Sequence, residues 1–201
     1  MDYLFDGPPE AKRVFVFAHG AGGAMDTPFM TKFARGLGEN GIRVIRFEFP
    51  YMAARRTTGK RGAPDRQPVL LEHFRKVVAD AGGRPFIGGK SMGGRMASMV
   101  ADELNVAGLI CLGYPFHPPG KPEQLRTAHL AALRTPSLIV QGERDPLGTR
   151  PEVEGYSLSP AIRLEWLKDG DHSFKPRVQS GTSEVTNLAE GIKVVTAFIL
   201  K

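Results

Sequence analysis

A single cysteine in 201 residues excludes any internal disulfide. That residue, Cys111, lies in the apolar run Leu109-Ile110-Cys111-Leu112, where it reads as a small buried side chain, and neither secretion nor a cysteine metal site is expected. No stretch approaches the roughly 18 to 20 apolar residues that a membrane span needs. The start Met1-Asp2-Tyr3-Leu4-Phe5-Asp6 lacks the basic-then-apolar order of a signal peptide, so a cytoplasmic protein is expected. Repeats, linkers and low-complexity segments are also missing, and the length suits one domain over 1–201 with one core.

What the chain has in excess is positive charge, +6 net. Much of it falls between Arg55 and Arg66, where Arg55, Arg56, Lys60, Arg61 and Arg66 face Asp65 alone. Base-stacking aromatics do not interleave these cations, so no nucleic-acid partner is expected. The bland reading is a solvated loop. The sharper one is a basic rim that draws anionic substrates towards a pocket.

Short apolar runs alternate with segments of helical periodicity, the pattern of a parallel sheet covered on both faces by helices. Strands are expected at Val14 to Ala18, Val44 to Phe49, Pro85 to Gly88, Ala107 to Leu112, Ser137 to Gln141 and Ile162 to Leu167. Helices are expected from about Pro28 to Leu37, capped by Asp26 or Thr27, and over Val69 to Ala81, Met92 to Leu104 and Leu188 to Leu200. The expected fold is an α/β three-layer sandwich with a mostly parallel sheet of about six strands. The basic stretch from Pro50 to Pro68 is too long for an ordinary connection, and its conformation is not readable.

Ligands of an α/β sheet bind beyond the carboxyl ends of its strands. Ser91 stands there, in Gly89-Lys90-Ser91-Met92-Gly93, a G-x-S-x-G turn between a strand and a helix. So tight a turn needs glycines at its flanks, and it lifts the serine hydroxyl to a helix start where unpaired N–H groups favour negative charge. Two rival readings exist: a flexible turn with Ser91 as a helix cap, and a phosphate loop, because Gly89-Lys90-Ser91 resembles the end of G-x-x-x-x-G-K-[ST]. The latter requires glycine where Arg84 stands.

A serine hydroxyl needs a base, and the base needs an acid to fix its tautomer. On such a sheet the partners follow in the order serine, acid, histidine. His172 alone among the five histidines follows both the serine and the next strand-end carboxylate. The strand Ser137 to Gln141 runs into Gly142-Glu143-Arg144-Asp145-Pro146, which makes Asp145 the expected acid and Glu143 the alternative. Asp169 and Asp171 are expected to shape the loop around His172. Donors for a developing oxyanion are expected from the Met92 N–H and from His19-Gly20-Ala21-Gly22-Gly23, with Ala21 first and Gly22 next; His19 is expected to be structural.

These pieces resemble the α/β-hydrolase superfamily over nearly the whole chain, and within it the compact lidless bacterial group of predicted, dienelactone-hydrolase-like hydrolases. The resemblance rests on His19-Gly20 with the glycines after it, Gly89-Lys90-Ser91-Met92-Gly93, Gly142 with Asp145-Pro146, and Gly170-Asp171-His172. It implies hydrolysis of an ester, thioester or lactone without cofactor or metal. Two departures stand out. No room is evident for the first two of the fold's eight strands before Val14, and a serine stands where dienelactone hydrolases carry cysteine. Only Gly113 to Pro136 separates two successive strands, and Pro122 to Leu133 can form a helix or two at most, which excludes a large lid. The expected substrate is then a small soluble ester or thioester, with Tyr51, Met52, Tyr114, Phe116 and His117 as the pocket wall. The competing function is a catalytically idle interaction protein on the same fold.

Overall fold

The computed structural model describes residues 2–60 and 62–201. Its strands are β1 (Leu4–Asp6), β2 (Val14–Ala18), β3 (Arg43–Phe47), β4 (Phe86–Lys90), β5 (Gly108–Leu112), β6 (Ser137–Gly142) and β7 (Ile162–Leu167). They form one sheet in the order β1-β3-β2-β4-β5-β6-β7. All neighbours are parallel except β1, which runs antiparallel to β3.

Alternate residues of the central strands face opposite layers, and both layers are apolar. Phe15 and Phe17 of β2, Ile110 and Leu112 of β5 and Leu138 and Val140 of β6 pack with helices α1 (Pro28–Glu39) and α6 (Glu184–Leu200). Val16, Leu109, Cys111 and Ile139 face the other way, towards α3 (Gln67–Ala81) and α4 (Met92–Val100). On that side Phe47 meets Phe49 and Phe74 edge-on, at ring-centroid distances of 5.2 and 5.3 Å. Each such buried aromatic or aliphatic side chain is worth about 1.5 to 3 kcal/mol relative to exposure, which is why the strands read as unbroken apolar runs.

Three elements differ from expectation. One strand does precede Val14: the three-residue β1 is too short to display an alternating pattern, and it is held by charge. Arg46 of β3 reaches Asp6 through Nε and Nη2, both at 2.9 Å, and its Nη1 donates to the Met25 carbonyl at 2.8 Å and Thr31 Oγ1 at 3.0 Å. The basic stretch holds α2 (Pro50–Thr58), which begins with proline, a residue without the N–H that a first helical turn leaves unpaired. The Tyr51 N–H donates to Asp65 Oδ2 at 2.9 Å. A short helix, α5 (Arg150–Glu154), follows β6, opened by a capping box between Thr149 and Glu152. Pro122 to Leu133 forms turns rather than a helix.

The Arg46–Asp6 pair is nearly enclosed, with side-chain exposures of 6% and 10%. Removing the carboxylate strands a buried cation, so Asp6→Ala is expected to cost about 3 kcal/mol. Joint replacement by Asp6→Leu and Arg46→Met should cost less, because no charge is then left unpaired. Urea unfolding would register the single change as a lower midpoint at unchanged slope; a loss under about 1 kcal/mol would show that β1 is not held through this pair.

Candidate active site

The turn between β4 and α4 is set by steric contacts. Ser91 adopts φ 51° and ψ −115°, a conformation that non-glycine residues seldom take. A Cβ on Gly89 would lie 2.6 Å from the Ala18 carbonyl oxygen, and one on Gly93 would lie 2.5 Å from that of His19. Only glycine at both flanks lets α4 start directly above β2. The Ser91 N–H donates to the Leu112 carbonyl at 3.0 Å, and the Arg95 N–H donates to the Ser91 carbonyl at 3.0 Å, so the turn is tied to β5 and to its own helix.

His172 Nδ1 lies 2.8 Å from Asp145 Oδ2. The Asp145 side chain is fully buried, whereas that of His172 is 28% exposed. Two further donors satisfy the carboxylate: Gln141 Nε2 to Oδ2 at 3.0 Å and the Leu147 N–H to Oδ1 at 2.9 Å. The two loops meet closely because a Cβ on Gly142 would lie 2.4 Å from the carbonyl oxygens of both Gly170 and Asp171. Glu143, the alternative acid, is engaged elsewhere, with Arg150 Nη1 at 3.0 Å and the Asp169 N–H at 2.9 Å. Asp171 Oδ1 accepts from the Ser173 and Lys175 N–H groups, which shapes the histidine loop. Asp169 pairs with Arg144 and Arg177, and Arg177 in particular holds its carboxyl down at about 2.

Ser91 and His172 line the same hollow, of about 400 Å³, together with Gly20, Ala21, Gly22, Gly23 and Phe29. Ser91 Oγ makes no hydrogen bond to His172 in this structure, a contact that in serine enzymes often tightens only on substrate binding. Met92 opens α4, where the first N–H groups have no intrahelical acceptor. Ala21 and Gly22 are exposed on the facing loop. His19 holds that loop: Nδ1 lies 2.7 Å from the Gly20 carbonyl and Nε2 accepts from the Phe49 N–H at 3.1 Å. Burial keeps its pKa below the ordinary histidine value, so it stays neutral in this role.

The expected apolar wall is not where the structure has it. Tyr114 and Phe116 are fully buried and His117 nearly so, and none of them lines a hollow at Ser91. Gln141 turns this segment inward, accepting from the Tyr114 N–H at 2.7 Å and donating to the Tyr114 carbonyl at 3.2 Å. Tyr51 instead donates its hydroxyl to the Ala21 carbonyl at 2.8 Å, bracing the glycine loop. Met52 is buried and lines a neighbouring depression with Gly22, Gly23, Arg55 and Arg56. A second hollow at Ser91, about 380 Å³, is walled by Leu70, Met92, Met96, Pro115, Pro119 and Leu147, with Arg95 and Arg126 also facing it.

The basic segment is less free than its composition suggests. Both Arg56 nitrogens Nε and Nη2 reach Glu48 at 2.7 Å, and Nη2 reaches Asp26 at 2.9 Å. Lys60 and Arg66 are exposed, and Arg61 lies outside the described residues. Among the described residues, no cluster of three or more histidine, cysteine or acidic side chains is arranged to hold a metal ion, and no helix is long and apolar enough to cross a membrane.

Sequence reasoning missed Lys90, Gln141, Arg95 and Arg126 as parts of the site. A signal existed for Gln141, the one amide in a strand whose centre is apolar, and for Lys90, a charged residue between Gly89 and Ser91 in a turn expected to be tight. Lys90 is buried, and its Nζ donates to the His172 carbonyl at 2.6 Å, so the serine turn and the histidine loop are tied together by one ammonium.

A family model described as an α/β hydrolase domain matches residues 11–200. Among solved structures, an α/β serine hydrolase homologue from Coxiella burnetii aligns with TM-score 0.73 at 20% identity, over 98% of this chain and 90% of that one. A serine hydrolase without a lid from Xanthomonas campestris aligns with TM-score 0.72 at 20% identity, over 100% of this chain and 90% of the other. A dienelactone hydrolase from Anabaena variabilis gives TM-score 0.72 at 18% identity, with 98% and 90% covered. At such identities these likenesses speak for the fold.

Burial lowers the Lys90 ammonium from 10.5 to about 8, against the pull of Asp145 and Asp171. Between those values the unfolded chain binds more protons than the folded one, so stability rises with pH across that window. Below it, the folded protein carries a penalty of about 3 kcal/mol. Lys90→Met is expected to flatten the rise between pH 8 and 10.5. Denaturation midpoints taken across pH would check it, and a variant curve as steep as the parent's would assign the titration to another group.

Proposed function

This chain belongs to the α/β hydrolase domain family, and we propose that it is a serine hydrolase cleaving an ester, thioester or lactone of a small soluble acyl compound through an acyl-enzyme on Ser91. The observation that carries the reading is the hydrogen bond from His172 Nδ1 to the fully buried Asp145, made beside a serine held in a strained turn. With Nδ1 donating to the carboxylate, Nε2 is left as the acceptor for the serine proton. Ser91 Oγ then attacks the carbonyl carbon, and the oxygen that becomes negative is met by the Met92 N–H and by an N–H of Ala21 or Gly22. The His172 imidazolium protonates the departing alcohol or thiol. Water, deprotonated by the same base, releases the acid.

The absence of a helix between β5 and β6 supports an open site suited to short acyl chains, since nothing in that connection covers a long one. The walls supplied by Leu70, Met92, Met96, Pro115 and Leu147 take over the role first expected of Tyr114, Phe116 and His117.

Ser91→Ala is expected to lower hydrolysis of short p-nitrophenyl esters by at least about a thousandfold and to abolish labelling by a fluorophosphonate probe, with the fold intact. Asp145→Asn should lower the rate by a similar order, and Glu143→Gln by far less. Retained labelling in Ser91→Ala would move the nucleophile, and the reverse ranking of the two acid variants would move the acid. Wild-type protein that neither turns over esters nor takes the probe would instead be an interaction protein on a hydrolase fold.

A further inference from the structure

Two guanidinium groups face the second hollow at Ser91 without a carboxylate to match them. Arg95 stands in the first turn of α4, four residues after Ser91, and lines the same hollow as the serine. Its only side-chain hydrogen bond among the described residues runs from Nη2 to Gln67 Oε1 at 3.1 Å, and its buried Nε has no partner. Arg126 comes from the turn segment between β5 and β6, anchored by its N–H to the Phe116 carbonyl at 2.7 Å and by its carbonyl to the Tyr114 hydroxyl at 3.0 Å. Its guanidinium makes no hydrogen bond or ion pair among the described residues. Burial and the nearby Arg95 charge both hold Arg126 below its ordinary arginine value.

Asp65 lines the same hollow, but it accepts the Tyr51 N–H and forms no ion pair with either arginine. Several arginines elsewhere on the chain are paired with carboxylates, as in Arg46 with Asp6, Arg75 with Glu103 and Arg177 with Asp169, whereas these two share a hollow with no carboxylate among the described residues bound to either. Two like charges drawn together in a partly desolvated cavity, one with a buried donor left open, make a receptor for an anion.

We propose that Arg95 and Arg126 form an anion subsite beside Ser91 that holds a carboxylate carried on one arm of the substrate. The inference rests on Ser91 acting as the nucleophile and narrows the substrate class to anionic esters or thioesters. It also relocates the source of that preference. The basic segment would attract anions from a distance, an effect that fades as salt shortens the screening length to about 8 Å near 0.15 M. The arginine pair acts by contact within the cavity and persists there. Lys90 does not compete for this role, because its ammonium is engaged with the His172 carbonyl.

The test compares kcat/KM for two matched pairs at 0.15 M salt. For the acyl arm these are the 4-nitrophenyl monoester of adipate and its terminal amide; for the leaving arm, 4-acetoxybenzoate and 4-acetoxybenzamide. In at least one pair the acid is expected to lead by about tenfold, the size of one charge-assisted contact. That ratio should fall towards one in Arg95→Gln and in Arg126→Gln and survive in Arg55→Gln. Two arginine variants guard against one that fails to fold. Ratios near one in the wild type for both pairs, with the neutral esters still hydrolysed, overturn the subsite and leave the hydrolase reading standing. A preference that survives both arginine variants overturns it too. Without turnover or fluorophosphonate labelling the hydrolase reading fails, and calorimetric titration of wild type and variants with adipate decides the cavity alone. Binding lost in Arg95→Gln and Arg126→Gln upholds an anion site; no binding overturns it.

Discussion

The site depends on how closely two pieces of backbone can pass at the end of β4. Gly89 and Gly93 let the start of α4 lie against the Ala18 and His19 carbonyls, where a single methyl group on either would collide. That contact goes with the unusual φ and ψ of Ser91, which lines the two hollows on either side of the turn. It also fixes where Arg95 must stand, one helical turn on. The strain is affordable because the turn is held from both sides, by the Ser91 N–H on β5 and by the first bonds of α4.

Around that turn, charge is arranged in depth. Asp145 has no exposure to solvent, yet it has donors from Gln141, Leu147 and His172, so its ionised form is fully hydrogen-bonded. Behind the histidine lies Lys90, whose ammonium is weakened by burial. Carboxylate, imidazole and ammonium thus occupy one small volume with opposite signs flanking the ring. The Lys90 bond to the His172 backbone adds a mechanical link, so that the turn bearing the serine and the loop bearing the histidine cannot shift independently without losing it.

Much of this was readable from residue order. Ser91, Asp145 and His172 each follow a strand, and strand ends are announced by glycines whose need is local: Gly89 and Gly93 for the turn, Gly142 for the approach of two loops. The sheet was readable for the same reason, since β2, β5 and β6 are apolar on both faces. What escaped depends on contacts distant in sequence. β1 is three residues held by Arg46, forty positions away, and α2 is opened by a carboxylate from Asp65. Tyr114 and Phe116 looked like wall residues because they follow β5, but Gln141 binds the Tyr114 backbone and turns both rings into the core. Arg95 and Arg126 meet only in three dimensions; nothing in their flanking residues distinguishes them from surface arginines.

Cys111 gives the protein a built-in clock. It lies in the middle of the sheet with no exposed surface, its Sγ against the Gly94 carbonyl at 3.4 Å, and burial raises its thiol well above the ordinary range. A thiol reagent can therefore reach it only when α4 has left β5. As the chain's one cysteine, it makes the alkylation of the native protein a count of how often the serine turn comes apart, and a ligand that steadies the turn slows that count without the need for any engineered label.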